Sequence, residues 1–165
     1  LDGTKEFVKR NGEFTVNIAL IENGTPILGV IYVPVKKVLY FASEDGAYKR
    51  IGDVLEKLPI AKENEKYVAV GSRSHMSEET KKYFDELKSK HGDIDIVSMG
   101  SSLKICLVAE GIADVYPRFA PTMEWDTAAG QAIARFAGKT LIDYNTKKEM
   151  LYNRDELRNN WFIVQ

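Results

Sequence analysis

Several features of common protein classes are absent from this sequence. Cys106 is the one cysteine among 165 residues, which excludes an internal disulfide and zinc motifs built on paired cysteines. No apolar run approaches the ~20 residues that a membrane-spanning helix needs, and no signal-peptide pattern precedes the first strands. There is no Gly-x-Ser-x-Gly elbow and no P-loop, so catalysis by a side-chain nucleophile is disfavoured. A reducing cytoplasm is the expected location.

An excess of charge of one sign is also lacking. The chain has 23 basic and 24 acidic residues, a net charge of −1, so it offers no basic field for a long nucleic acid and no polybasic membrane anchor. Peripheral membrane association therefore has no visible signal in the sequence. With 44% hydrophobic residues, the chain is expected to fold around a real core and to recognise any small anionic ligand locally.

Residues 1–60 have the pattern of an antiparallel sheet. Strand-forming residues run from Phe14 to Ile21, and Asn23-Gly24 supplies the positive φ angles of a tight hairpin turn. We predict further strands at Ile27 to Val33, Lys37 to Ala42 and Gly46 to Arg50. This range is assigned to an antiparallel-sheet lobe that contains the start of a metal motif.

Residues 61–165 alternate between strand and helix patterns and are assigned to a C-terminal α/β lobe. The charged stretch from Ala61 to Lys66 marks the boundary. The fold class is therefore α+β. Predicted strands are Val68–Val70, Ile94–Val97, Ile112–Tyr116, Leu141–Ile142 and Trp161–Val164, the last at a sheet edge; predicted helices follow caps at Ser77, at Ser101 or Ser102, and at Asp126.

The segment Leu1 to Thr4 contains an Asp-Gly-Thr sequence with two interpretations. Asp-Gly is common in turns, and Asp2 could simply cap the helical run that follows. Alternatively, the Asp2 carboxylate offers hard oxygen ligands for Mg²⁺, while the Gly3 and Thr4 amides point at a phosphate held by the same metal.

Asp126 also has two interpretations. It could be an ordinary helix N-cap before Thr127. A carboxylate in the first turn of a helix could instead bind a cation beside an anion that contacts the free amides of that turn. Trp125 is expected to be a buried anchor for the loop.

Four segments in this order, together covering essentially the whole chain, resemble the inositol-monophosphatase superfamily and, within it, the CysQ branch of 3′(2′),5′-bisphosphate nucleotidases. They are Leu1–Thr4 (Leu-Asp-Gly-Thr), Gly100–Lys104 (Gly-Ser-Ser-Leu-Lys), Ala109–Arg118 (Ala-Glu-Gly-Ile-Ala-Asp-Val-Tyr-Pro-Arg) and Trp125–Gly130 (Trp-Asp-Thr-Ala-Ala-Gly). The resemblance implies a layered sandwich fold in which an antiparallel sheet portion is joined to a C-terminal α/β lobe.

The resemblance also implies an activity: Mg²⁺-dependent removal of the 3′-phosphate of adenosine 3′,5′-bisphosphate, giving AMP and phosphate, with sensitivity to Li⁺. Asp2 and Asp126 match metal-ligand aspartates, and the backbone carbonyl of Leu1 matches a further ligand. Thr4 matches a threonine that positions the attacking water, so Asp2 and Thr4 are the implied catalytic residues. Bound cations lower the pKa of a water and stabilise the departing oxygen.

Substrate contacts are implied at Gly3, Thr4, His75, Ser101, Lys104, Arg118 and Asp126. Lys104 and Arg118 are candidates for a second phosphate, since Arg can bind phosphate through two parallel hydrogen bonds and Lys acts as a point charge. The alternatives are a solvated helix lysine, a surface ion pair for Arg118, a surface loop position for His75 and a helix cap for Ser101. Tyr116 is either near an adenine ring or part of the core.

Because the chain starts inside a ligand motif and without Met, we expect it to be a C-terminal portion of a longer protein. The family's upstream acidic residues are then absent, so we expect weak Mg²⁺ binding and little activity. Apolar strand residues would also be exposed, favouring dimerisation. Three hypotheses follow: a bisphosphate nucleotidase, an inositol or sugar monophosphatase, and a non-catalytic ligand-binding fragment.

Overall fold

The computed structural model describes residues 1–60, 64–71 and 76–165. Helices and strands alternate from Tyr67 to Asp143, after a run of five strands, and the mixed α+β class is confirmed. In chain order the elements are α1 (Thr4–Lys9), β1 (Val16–Glu22), β2 (Thr25–Val33), β3 (Val38–Ser43), β4 (Gly46–Ile51), β5 (Val54–Lys57), β6 (Tyr67–Gly71), α2 (Glu78–His91), β7 (Ile94–Ser98), α3 (Leu103–Ala109), β8 (Tyr116–Arg118), α4 (Glu124–Phe136), β9 (Leu141–Asp143) and β10 (Phe162–Val164).

The first five strands form one antiparallel meander in the order β1-β2-β3-β4-β5. The predicted hairpin between β1 and β2 is confirmed, with Asn23 at φ 50° and Gly24 at φ 76°. Both angles lie in the left-handed region that a two-residue hairpin turn requires. Strand β5 was not predicted. The segment Val54–Lys57 is short and mostly exposed and lacks a clear alternation of buried and exposed side chains, so its sequence gives no strand signal.

Helix α4 lies across one face of this meander at very close range. A Cβ atom added to Gly29 of β2 would lie 2.3 Å from the carbonyl oxygen of Ala129 and 2.8 Å from the Cβ of Ala132. Glycine is therefore needed where the strand meets the helix. One core cluster joins Ile31 of β2 to Cys106 of α3 and Ile133 of α4, so the meander and the later helices share an interior.

The remaining strands form two small sheets. β6 and β7 pair in parallel, while β10 lies between β8 and β9, so the expected edge position of the last strand is wrong. The predicted strand Ile112–Tyr116 is also wrong, since Asp114 and Val115 contact β6 in a connecting segment and β8 begins at Tyr116. Pro117 falls inside β8, which is an edge strand and tolerates a missing donor.

Helix α2 matches its predicted start. The Ser77 hydroxyl accepts a hydrogen bond from the Thr80 amide, as a helix N-cap does. Phe84 and Leu87 are buried, as expected, and Tyr83 is half-buried. The boundary between residues 60 and 61 stays a prediction, and residues 61–63 lie outside the described residues.

The face of the meander opposite α4 is apolar and open to solvent. Val16 pairs with Tyr32, Ile18 with Val30 and Leu20 with Leu28, and five of these six side chains are exposed. Ile18 is the most open, with 61% of its surface accessible. Within the described residues, no helix is long and apolar enough to cross a membrane.

Candidate active site

A cleft of about 410 Å³ opens where the start of the chain meets α3, β8 and the first turn of α4. These elements come from widely separated parts of the sequence. The residues that line the cleft include Asp2, Gly3, Ser101, Ser102, Lys104, Tyr116, Arg118 and Asp126, together with Lys5 and Glu6 of α1. Most of the predicted site residues are therefore brought together.

Asp2 is fixed by a backbone bridge to Thr15. The Asp2 amide donates to the Thr15 carbonyl at 2.8 Å, and the Thr15 amide donates to the Asp2 carbonyl at 3.0 Å. The N-cap of α1 is Gly3, with φ 91°, so the interpretation of Asp2 as the cap is wrong. Its carboxylate points into the cleft region and accepts a hydrogen bond from the Ser102 hydroxyl at 2.8 Å.

Asp126 lies one turn deeper in its helix than expected. Helix α4 begins at Glu124 with Met123 as N-cap, so the prediction of Asp126 as N-cap is wrong. Its carboxylate accepts a hydrogen bond from the Met123 amide at 2.9 Å, as an acidic residue at the third helical position does. The buried anchor predicted at Trp125 is also wrong: Trp125 is 60% exposed, and its neighbours Glu124 and Thr127 face inward instead.

Ser102 connects the two carboxylate positions and was not among the predicted site residues. Its hydroxyl is buried, accepts from the Asn17 amide at 2.7 Å, and donates to Asp2 at 2.8 Å with the Asp126 carbonyl also within 3.2 Å. Ser102 occupies the N-cap position of α3, as one of the two predicted candidates, but its side chain makes no capping hydrogen bond. The Ser101 hydroxyl donates to the Glu13 carbonyl instead, at 2.7 Å. A hydroxyl beside a helix start indicates a cap, so sequence alone favoured the wrong partner.

The two carboxylates oppose each other electrostatically. Burial raises the pKa of Asp126, and the negative charge of Asp2 adds to this effect against the hydrogen bond from Met123. A cation would relieve this repulsion. Magnesium-type cations are commonly held by one or two carboxylates together with water and substrate phosphate, so this donor set fits a hard divalent cation. Within the described residues, no group of three or more acidic, His or Cys side chains could hold a metal.

Lys104 and Arg118 form the cationic part of the cleft. The Lys104 ammonium donates to the carbonyls of Met99 at 3.3 Å and Ser101 at 2.8 Å. Burial and, to a smaller extent, the positive charge of Arg118 lower the pKa of Lys104 to about 8, against the opposing effect of Asp2 and other acidic groups. The interpretation of Lys104 as a solvated helix residue is therefore wrong.

The Arg118 guanidinium has a buried hydrogen-bond donor that faces no protein acceptor among the described residues. Its Nε is buried and has no hydrogen-bond partner among the described residues, and Nη2 makes one long contact of 3.4 Å with the Pro121 carbonyl. The surface ion pair proposed for Arg118 does not occur within the described part of the chain. Buried N–H groups normally find an acceptor, so an anion in the cleft would satisfy this one.

The other predicted site residues have mixed outcomes. Tyr116 is buried, as a core residue, and it also lines the cleft beneath Lys104, whose ammonium lies 5.7 Å from the ring centre. Leu1 and Thr4 are exposed and do not line the cleft, so their implied roles stay predictions. His75 lies outside the described residues.

The site therefore combines two carboxylates and two cationic side chains in one cleft of a layered α+β fold. A model of the inositol monophosphatase family matches residues 1–163, and the chain belongs to that family. The 3′(2′),5′-bisphosphate nucleotidases CysQ of Salmonella typhimurium and Escherichia coli are 50% and 49% identical to it over 164 residues. Each alignment covers 99% of this chain and 65% of the relative, so the chain spans about two thirds of their length.

Solved structures agree with this assignment. The crystal structure of CysQ from Bacteroides thetaiotaomicron has a TM-score of 0.95 and 56% identity, covering 100% of this chain and 67% of that one. A staphylococcal inositol monophosphatase solved with inositol monophosphate has a TM-score of 0.78 at 22% identity, covering 99% of this chain and 61% of that one. The second similarity concerns the fold alone.

Replacing Ser102 by Ala tests the central hydrogen bonds. The substitution removes the donor to Asp2 and the acceptor for Asn17, so we expect the free energy of unfolding to fall by about 1–2 kcal/mol. Urea-induced unfolding measures this change. Ser89→Ala, which removes an exposed hydroxyl on α2, is the matched control and should change it by less than about 0.5 kcal/mol. Equal effects of the two substitutions would contradict the central role of Ser102.

Proposed function

We propose that the protein is a metal-dependent phosphatase that removes the 3′-phosphate of adenosine 3′,5′-bisphosphate and gives AMP and phosphate. The observation that carries this proposal is the shared cleft, in which the Asp2 and Asp126 carboxylates accompany the half-buried cations Lys104 and Arg118. An acidic pair suits a divalent cation, and a cationic pair suits a second anionic group on the same ligand. The names of the CysQ relatives support the same substrate.

Mg²⁺ is the proposed cofactor, held by Asp2, Asp126 and the backbone carbonyl of Leu1. When bound, it would supply an acidified water and neutralise charge on the leaving oxygen. The protein contributes orientation. Ser102 fixes the Asp2 carboxylate through its hydroxyl, the Met123 amide fixes that of Asp126, and Thr4 is assigned to orient the water.

The phosphate that remains on the product is assigned to Lys104 and Arg118. The buried Arg118 Nε lacks an acceptor among the described residues, which supports a phosphate oxygen as its partner. Gly3 and Ser101 line the same cleft and are assigned to donate to the ligand. His75 is assigned to the nucleoside. An inositol monophosphate has one phosphate and would leave part of this cationic pair unused.

Phosphate release from adenosine 3′,5′-bisphosphate tests the proposal. With Mg²⁺ present, we expect faster release from this nucleotide than from inositol 1-phosphate, because only the nucleotide carries a second phosphate for Lys104 and Arg118. A chain that spans the full length of the relatives should be the more active, since a set of two side-chain carboxylates is small for catalysis. Asp126→Asn should abolish release, and Glu44→Asn, at an exposed turn, should not.

Two other outcomes of this assay would each favour one of the two alternative functions. Faster release from inositol 1-phosphate would favour the monophosphatase hypothesis. Nucleotide binding without release from either chain would favour a non-catalytic ligand-binding protein. We place the protein in the cytoplasm, which the single buried cysteine supports.

The lowered pKa of Lys104 predicts how bisphosphate affinity depends on pH. Because the pKa is about 8, the ammonium is charged below that pH and loses its charge as the pH rises through it. We expect affinity to fall several-fold between about pH 7 and about pH 9, a range in which phosphate monoesters are already dianions. Calorimetry without metal measures this. The Lys104→Met variant should bind the bisphosphate weakly and lose the pH dependence, whereas Lys57→Met should retain it. An affinity of the unsubstituted protein that does not change with pH would contradict the assignment of Lys104 to the phosphate.

We further propose that a second copy of the chain covers the open apolar face of the meander. That face carries the exposed side chains of Val16, Ile18, Leu20, Leu28 and Tyr32 on neighbouring strands. A contiguous apolar patch of this kind usually marks an interface, and β1 also leaves one edge of its sheet unpaired within the described residues.

Sedimentation velocity tests this self-association. We expect a concentration-dependent dimer that the double substitution Ile18→Ser and Leu20→Ser weakens by about tenfold or more, because it removes the centre of the apolar patch. Val35→Ser removes a similarly exposed apolar side chain from a loop and should leave the dimer intact. A monomer at all concentrations would overturn the proposal.

A further inference from the structure

We propose that Glu13 is a positioning residue that sets the place of Lys104 and thereby the preference for a bisphosphate over a monophosphate. The inference rests on the proposed function, in which Lys104 binds the second phosphate. Glu13 belongs to none of the four motifs that carry the family resemblance. It lies in the segment between α1 and β1, and it acts through the turn at Gly100 and Ser101 that precedes α3.

Two hydrogen bonds join Glu13 to that turn. The carboxylate is buried, with 7% of the residue exposed, and accepts from the Gly100 amide at 2.7 Å. The backbone carbonyl of Glu13 accepts from the Ser101 hydroxyl, also at 2.7 Å. The Glu13 amide is itself held by the Asn11 side chain at 3.0 Å. Side chain and backbone of one residue therefore fix two consecutive residues about ninety positions away in sequence.

The turn needs this support because its conformation is unusual. Ser101 has φ 45°, in the left-handed region that residues with a side chain rarely adopt. A Cβ atom added to Gly100 would lie 2.6 Å from Cγ of Glu6 and 3.0 Å from Cβ of Glu13, so the backbone packs directly against these acidic side chains. Strained conformations persist where the surrounding structure holds them in place.

Lys104 takes its position from the same turn. Its ammonium donates to the carbonyl of Ser101 at 2.8 Å and to that of Met99 at 3.3 Å, on the two sides of Gly100. A shift of the turn would therefore move the ammonium relative to Arg118 and the cleft. Lys104 also faces the negative charges of Asp2, Glu6 and Glu13 and the positive charge of Arg118, so Glu13 helps to keep it protonated.

The segment that contains Glu13 reaches the acidic side of the cleft as well. Thr15, two residues further on, forms the backbone bridge that fixes Asp2. The short segment from Glu13 to Thr15 therefore fixes both the Asp2 carboxylate, which is assigned to the metal, and the turn at Gly100 and Ser101, which positions the Lys104 ammonium. Loss of the Glu13 carboxylate should leave the bridge between Asp2 and Thr15 in place, because that bridge uses backbone atoms only.

Three substitutions separate hydrogen bonding from charge. Glu13→Gln keeps an acceptor for the Gly100 amide and removes the charge, whereas Glu13→Ala removes both. Glu6→Gln removes a nearby charge that also acts on Lys104, with no hydrogen bond to the turn among the described residues. Glu22→Gln, exposed at the end of β1, is the neutral control.

Amide hydrogen exchange at Gly100 and NMR titration of Lys104 give readouts that do not depend on activity. Glu13→Ala should speed exchange at Gly100 by about tenfold or more, and Glu13→Gln by less, since a bond to a charged acceptor is stronger than one to an amide. Both Glu13 variants and Glu6→Gln should lower the pKa of Lys104. Glutamine is close in size to glutamate, so the Glu13→Gln variant can still be measured if Glu13→Ala fails to fold.

Calorimetry without metal then compares adenosine 3′,5′-bisphosphate with adenosine 3′-monophosphate, which lacks the phosphate assigned to Lys104 and Arg118. We expect Glu13→Ala to weaken bisphosphate binding about tenfold and binding of the 3′-monophosphate little, because only the bisphosphate uses the Lys104 ammonium. Equal losses for both ligands, or unchanged Gly100 exchange, would overturn the positioning role. If the unsubstituted chain does not prefer the bisphosphate, the proposed function fails, while the Gly100 and Lys104 readouts still decide whether Glu13 positions the turn.

Discussion

The arrangement of this site depends on keeping two mutually repelling carboxylates close together. Asp2 and Asp126 come from opposite ends of the chain, and each is restrained by a donor: the Ser102 hydroxyl for Asp2 and the Met123 amide for Asp126. Burial raises the pKa of Asp126, and the negative charge of Asp2 adds to this rise. A folded protein that tolerates such repulsion is already arranged for a positive partner, so much of the reorganisation cost of binding a cation is met during folding.

The half-buried cations Lys104 and Arg118 lie in the same cleft as the Asp2 and Asp126 carboxylates and complement their negative charge. Lys104 lies over the ring of the buried Tyr116 and against backbone carbonyls, and Arg118 has a buried N–H group without an acceptor among the described residues. Burial weakens the competition from water for each of these groups, so an anion that reaches them is bound more strongly than at an exposed surface.

The sequence predicted those features that depend on local pattern or on ordered motifs. The Asn23-Gly24 hairpin and the Ser77 cap follow from turn and cap chemistry, and the gathering of Asp2, Lys104, Arg118 and Asp126 follows from the family resemblance. The errors arose where tertiary contacts outweigh local preference. Asp126 became the third residue of its helix, because α4 begins three residues earlier than an N-cap at Asp126 would place it.

The partners of Ser102 and Glu13 could not have been read from the sequence, because no short-range pattern signals them. Ser102 meets Asp2 across 100 residues, and Glu13 meets Gly100 across 87. Contacts of such separation form only when most of the chain has reached its native arrangement. The cleft therefore exists only when the start of the chain, α3, β8 and the first turn of α4 have packed together. Ligand binding by this protein also reports that these distant segments are in place.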